Sequence, residues 1–228
     1  MPAPNSTPAS GSFPSLAAEA ARYALLRRLA PSMRHHLVVN LQPIGMIYEV
    51  MERRLRGPAP DFAHVQDSAG KINGFAKAAL QSSIDVVGWL AQDDAATTAL
   101  PEAVRECTLL LATSLSFRGY ALRNETTPLP GVVRRCAIRN LLTGALVHCT
   151  DHWPGPADLA LTTAAEDDAA LVTITLRPTQ ADKGFTAEAN YRKIEWADLE
   201  AIAEADGAGL AGDQHAIQLR FPWCTPAA

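Results

Sequence analysis

The sequence predicts an α+β chain, with a long N-terminal helical hairpin followed by a smaller α/β unit. Three observations predict it. Apolar residues recur at helical spacing over two consecutive stretches, with a Gly-Pro turn at residues 57 and 58 between them. After residue 100 the pattern changes to short helices mixed with runs of β-type alternation. The composition is that of a globular protein rich in alanine, at 48% hydrophobic and 19% charged residues, which favours helix.

The second long stretch, residues 61 to 91, is the clearer of the two. Phe62, Val65, Ala69, Ile72, Ala76, Ala79, Ser83, Val86 and Leu90 are spaced by alternating steps of three and four, the seam of a coiled coil or bundle. The first stretch, residues 15 to 56, carries a matching stripe at Met33, Leu37, Leu41, Ile44, Tyr48, Met51 and Leu55. Pro31 within it can start a new helix or kink one. Two such helices joined by a short turn form an antiparallel hairpin. One hairpin leaves its stripe half covered, so pairing of two copies into a dimeric four-helix bundle is expected.

Residues 1 to 14, MPAPNSTPASGSFP, read as a flexible tail, and residues 92 to 100 as a polar linker. The hairpin domain then spans residues 15 to 91 and the second domain residues 101 to 228. Within the latter, helices are predicted at residues 102–118, 132–149 and 195–205. Strands are predicted at 120–124, 158–163, 170–178, near Leu210, and at 216–221. Leu171, Thr173 and Thr175 alternate with Val172, Ile174 and Leu176, which gives a strand two unlike faces.

The net charge of −4 offers no broad cationic field for a nucleic-acid partner. No apolar run is long enough for membrane insertion, and no signal-peptide layout is present, so a cytoplasmic location is expected. Cys107, Cys136, Cys149 and Cys224 lack metal-finger spacing and disulfide density. His148 and His152, four apart around Cys149 and Asp151, could present metal ligands, but they sit at a predicted helix end where histidines cap carbonyls, and no metal is expected. Ser114 and Ser116 have no base or elbow motif beside them.

The run Met33-Arg34-His35-His36-Leu37-Val38-Val39-Asn40-Leu41-Gln42-Pro43-Ile44 resembles the H-box of bacterial sensor histidine kinases, in which a histidine is followed by leucine at the second and sixth positions and by a proline. The resemblance implies that His35 is the phospho-accepting residue. Helix geometry supports the choice separately, since His35 lies about 160° from the centre of the apolar stripe and His36 about 100° away on its flank. Arg34, His36 and Gln42 flank His35 as contact residues. Where the family has an acidic neighbour this chain has His36, and four positions beyond His35, where phosphatase-competent kinases have a polar residue, it has Val39.

The second domain resembles the kinase ATP-binding domain. Residues 132 to 148, VVRRCAIRNLLTGALVH, resemble the N-box helix, with Asn140 in the Asn-Leu-Leu portion and Gly144 where the family places its Mg²⁺-binding asparagine. Residues 196 to 222 resemble the family's closing helix, turn and last strand. No G1 box follows the 170–178 strand, where residues 178 to 185 read PTQADKGF. The string Asp206-Gly207-Ala208-Gly209-Leu210 follows a helix and reads as a helix stop and turn. The resemblance implies a histidine phosphotransfer protein or pseudo-histidine kinase of two-component signalling. It would exchange phosphoryl between His35 and an aspartate on a response-regulator receiver domain, as a homodimer, and with ATP and Mg²⁺ binding lost. A non-catalytic dimeric scaffold and an ATP-dependent autokinase are the alternatives.

Overall fold

A computed structural model describes residues 15–58, 61–91, 93–180, 184, 191–213 and 215–224. The tail assigned to residues 1 to 14 and half of the segment in the G1-box position, residues 181–183 and 185, lie outside the described residues. Helix α1 (Leu16–Leu55) starts at Ser15, whose side chain accepts a hydrogen bond from the Ala18 N–H. It runs through both Pro31 and Pro43. Helix α2 (Phe62–Leu90) starts at Asp61, capped in the same way by the His64 N–H, and returns antiparallel along α1.

The seam inside the hairpin overlaps the predicted stripe in part: Met33, Leu37, Ile44 and Met51 of α1 and Val65, Ile72, Ala79 and Val86 of α2 are covered. The covered positions also include Ser68, Phe75, Ser82 and Trp89 of α2 and His36, Asn40, Pro43 and Ile47 of α1. Asn40 Nδ2 donates to Ser82 Oγ across the seam at 2.9 Å. The predicted stripe residues Leu41, Tyr48, Leu55, Phe62 and Leu90 are exposed instead. A bundle helix divides its apolar surface between its hairpin partner and a further neighbour, so a single stripe averages the two.

Beyond α2 come β1 (Thr97–Ala99), α3 (Leu100–Phe117), β2 (Tyr120–Asn124), β3 (Val132–Arg134) and α4 (Arg135–His152). They are followed by β4 (Ala157–Ala165), β5 (Ala169–Pro178), α5 (Trp196–Asp206), β6 (Gly209–Gly212) and β7 (Ala216–Pro222). The five-stranded sheet has the order β2-β4-β5-β7-β6, with β2 parallel to β4 and the other pairs antiparallel. Val172, Ile174 and Leu176 are buried, whereas Leu171, Thr173 and Thr175 are half-buried, as the alternation predicted. The buried side aligns Ile174 with Leu161 and Ile217, under the layer of α3, α4 and α5.

Two short strands were not predicted. β1 and β3 pair antiparallel through Thr98 and Val133, and residues 132 to 134 are strand where the sequence suggested the start of a helix. Pairs of three-residue strands carry too few alternating positions for periodicity to register.

The apolar core is continuous between the two halves of the chain. Ala21, Leu25, Leu29 and Met33 of α1 belong to the same buried cluster as Leu141, Leu142 and Ala145 of α4 and Leu199 and Ile202 of α5. The first four turns of α1 therefore pack on the α/β unit, while the later turns pack on α2.

The inner end of α5 is fixed by polar contacts to α4. The Ile194 carbonyl accepts from His148 Nδ1 at 2.7 Å and from His152 Nε2 at 3.1 Å, with each ring taken in the tautomer that donates. Burial holds the His148 pKa below the usual histidine range, against an opposing contribution from the Ile194 carbonyl. A histidine neutral in the fold takes up its proton more readily when unfolded, so its contribution to stability is complete above about pH 6.5 and is lost as pH falls below that value. Thermal melts from about pH 7 to about pH 5 should show a falling Tm, and His148→Asn, which keeps a donor for the carbonyl, should flatten that slope. An unchanged slope in the variant would show that another group carries the dependence.

Candidate functional site

His35 stands on the exposed side of α1, two residues beyond Met33, which is buried against the α/β unit. Arg34 and Gln42 are exposed as well. Gln42 follows His35 by seven residues, two turns along the same side of the helix. His36 is half-buried, with its ring centroid 6.4 Å from that of His35. It lines a cleft of about 470 Å³ between the hairpin and the α/β unit.

The near wall of that cleft includes His36 on α1 and Ser82, Asp85 and Trp89 on α2; Glu102, Arg105 and Leu109 on α3 form the far wall. The fold thus brings α3 to His36, which motif reading alone did not reveal. A signal did exist in the sequence. Leu109 and Phe117 sit on the outer side of an otherwise well-patterned amphipathic helix, and they are 54% and 65% exposed.

The helical wheel places most exposed apolar residues of the hairpin in two strips, with Val38 between them. Taking the seam at Asn40 as origin, Leu41 and Tyr48 lie about 100° and 80° to one side, and Val39, Met46 and Val50 lie about 80–120° to the other. His35 is on the second side, about 140° from the seam. Leu80 and Val87 of α2 are also exposed, opposite the flank of α2 that carries Asp85 and the cleft. His35 therefore adjoins one apolar strip, on the same side of the hairpin as His36 and the cleft that His36 lines.

The N-box-like helix has a different environment. In α4 every residue from Cys136 to Thr150 is buried except Asn140. A Cβ placed on Gly144 would lie 3.0 Å from Leu199 Cδ2 and 3.7 Å from Leu25 Cδ2, so side chains of α5 and α1 occupy the space beside it. Asn140 Nδ2 donates to Asp206 Oδ2 at 3.2 Å, and the same carboxylate pairs with Arg22 at 2.6 Å. Asn140 and the space beside Gly144 are thus taken up by contacts between helices. Gly207 ends α5 in the left-handed conformation at φ 58°, which accounts for the glycine string that follows Asp206.

No cluster of three or more His, Cys, Asp or Glu side chains suited to a metal ion occurs among the described residues. His148 and His152 converge on the Ile194 carbonyl, with ring centroids 4.4 Å apart. Cys107, Cys136 and Cys149 are buried, and burial pushes the Cys136 thiol up to about 11, away from thiolate chemistry. No helix among the described residues is long and apolar enough to cross a membrane.

The packing around Gly144 makes a direct prediction. Gly144→Asn should overpack the α1–α4–α5 junction and cost about 1–3 kcal/mol. Its Tm should fall, with no compensating rise on addition of Mg²⁺ and ATP. A variant as stable as the parent, or one stabilised by Mg-ATP, would show that Leu25 and Leu199 yield to a larger side chain.

No protein-family model matches the chain, and no curated protein matches it. Among solved structures it is similar to the Acinetobacter baumannii histidine kinase AdeS, at 11% identity over 84% of this chain and 98% of that one, with a TM-score of 0.46. It is also similar to a bacterial phosphotransferase, at 14% identity over 92% of this chain and 98% of the other, with a TM-score of 0.41. A third is histidine kinase ThkA in complex with response regulator protein TrrA, at 12% identity over 93% of this chain and 68% of the other, with a TM-score of 0.43. These three neighbours are two histidine kinases, one of them in complex with a response regulator, and a phosphotransferase.

Proposed function

We propose that the protein is a histidine phosphotransfer protein, or pseudo-histidine kinase, which carries a phosphoryl group on His35 and exchanges it with an aspartate of a response-regulator receiver domain. The observation that carries this reading is the position of His35, exposed on α1 beside a cleft and away from the helix seam. A phospho-accepting imidazole has to meet its donor from outside. The lone pair of one ring nitrogen attacks phosphorus, the bond to the donor carboxylate oxygen breaks, and the carboxylate leaves; return of the group reverses these steps. Such transfer depends mainly on exposure and alignment, and the electrostatics at phosphorus come from the partner's own divalent-cation site.

On this reading Arg34, His36 and Gln42 contact the partner near His35, and Val39 and Met46 give it an apolar footing. The opposite strip, with Leu41, Tyr48, Leu80 and Val87, pairs with a second copy of the chain to complete a four-helix bundle. The reading includes no nucleotide of the chain's own, which is supported by the side chains packed against Gly144. Location in the cytoplasm, where receivers act, belongs to the same proposal.

Incubation with a phosphorylated receiver should give acid-labile label on the protein, and His35→Gln should abolish it. His36→Gln should retain label. Label that survives in His35→Gln removes His35 from the mechanism, and no label from any receiver leaves the non-catalytic scaffold. Independently, Leu80→Asp combined with Val87→Asp should halve the mass measured in solution while leaving the helical signal of the hairpin; an unchanged mass would place the contact between copies elsewhere.

A further inference from the structure

The open end of the hairpin is fastened to the α/β unit on both of its helices. On α1, Arg28 makes two bonds to the Asp151 carboxylate, at 2.7 and 2.8 Å. Asp151 also accepts from Arg118 at 3.1 Å and from the Ile194 N–H at 3.0 Å, and its side chain is only 4% exposed. Two turns earlier, Arg22 pairs with Asp206. On α2, Arg139 donates to the Gly88 carbonyl at 2.6 Å, lies over the Trp89 ring at 4.9 Å, and pairs with Glu106 of α3. Between these points Ala21, Leu25 and Leu29 are sealed in the shared core.

We infer that these contacts form a clamp that makes the hairpin and the α/β unit one rigid body, with the first half of α1 acting as a fixed shaft that sets the direction in which His35 faces. α1 is a single helix from Leu16 to Leu55, so gripping residues 18–33 fixes its rotation about its own axis. A rotation of about 100° shifts a helix by one residue position, enough to turn His35 from the cleft side to the opposite strip. A pivoting α/β unit could not hold α3 against His36; the clamp keeps Leu109 and Arg105 at a constant place relative to the histidine. The clamp goes beyond the phosphotransfer reading, and its consequence for transfer rests on that reading: the donor meets a composite surface of α1 and α3 that is already assembled.

Hydrogen exchange on the full-length protein tests the clamp. Backbone amides of residues 18–29 and 141–147 are expected to exchange together, at the slow rate of global opening. In Asp151→Asn, residues 18–29 should exchange about tenfold faster or more, while the α2 amides of residues 65–86 keep their protection. Arg28→Lys, which keeps the charge and loses the paired geometry, should move exchange in the same direction and serves if Asp151→Asn does not fold. Equal exchange in variant and parent, or a first half of α1 that exchanges far faster than α4 in the parent, overturns the clamp.

Transfer from a phosphorylated receiver below saturation should slow about tenfold in the same variants. The final extent of labelling should not change, because His35 is intact. Parental rates in variants with loosened exchange would remove the link between clamp and transfer. A parent that takes no label would fail the phosphotransfer reading and leave the exchange result to decide the clamp.

Discussion

Asp151 is nearly sealed from water, and the arrangement of the chain depends on its staying charged. Burial raises its pKa, but the Arg28 guanidinium, the Ile194 N–H and Arg118 together outweigh that, and the carboxyl is held below its usual range. Four donors from three separate parts of the chain converge on the two oxygens. A buried pair of this kind adds little net stability over an apolar substitute, but removing one member strands the other, at about 3–5 kcal/mol. Its contribution is therefore mainly one of specificity. Arg28 has one place where its charge can be satisfied, and that place fixes α1 over the C-terminal end of α4.

α4 is the element that makes such docking possible. A helix buried nearly all round needs neighbours on every side. The sheet covers one side, α3 another, and α5 with the first half of α1 the rest. Small residues let these neighbours approach. Ala137, Thr143, Gly144 and Ala145 keep the surface of α4 low, and at Gly144 a β-carbon would lie 3.0 Å from Leu199 Cδ2, so that leucine would have to give way. Thr143 returns its hydroxyl to the Arg139 carbonyl, so its polar atom does not need a partner outside the helix. The glycine that removes a metal ligand from the resemblance thus has a packing role of its own.

How much of this was legible in the sequence follows from which signals are local. Helices α1, α2, α3 and α5 and the longer strands were placed within a few residues, because periodicity and turn residues act over short spans. The paired strands β1 and β3 were missed, since each depends on the other across more than 30 residues of chain. The hairpin stripe was read as one seam. Asn40, Ser68 and Ser82 are polar, so no hydrophobicity pattern selects them, yet all three are covered and Asn40 bonds to Ser82. At the candidate site the histidines could be found by motif. The clamp could not, because nothing in the sequence links Arg28 with Asp151, or Arg139 with Gly88.

These contacts also explain how two prolines fit within one helix. Each proline removes a backbone donor, and its ring opposes the preceding turn, which in an isolated helix costs about 3 kcal/mol or more. Pro31 lies between Leu29 and Met33, both buried in the shared core, and Pro43 is half-buried beside Ile44 and Ile47. Tertiary packing on both sides of each proline holds the helical path that local preference would abandon. Pro31 is four residues before His35, so without the packing of Leu29 and Met33 the helix would be weakest immediately before the histidine. The burial of the first half of α1 and the exposure of His35 are for that reason two aspects of one arrangement: the imidazole can be left in water at a defined angle because the turn that leads to it is held in the core.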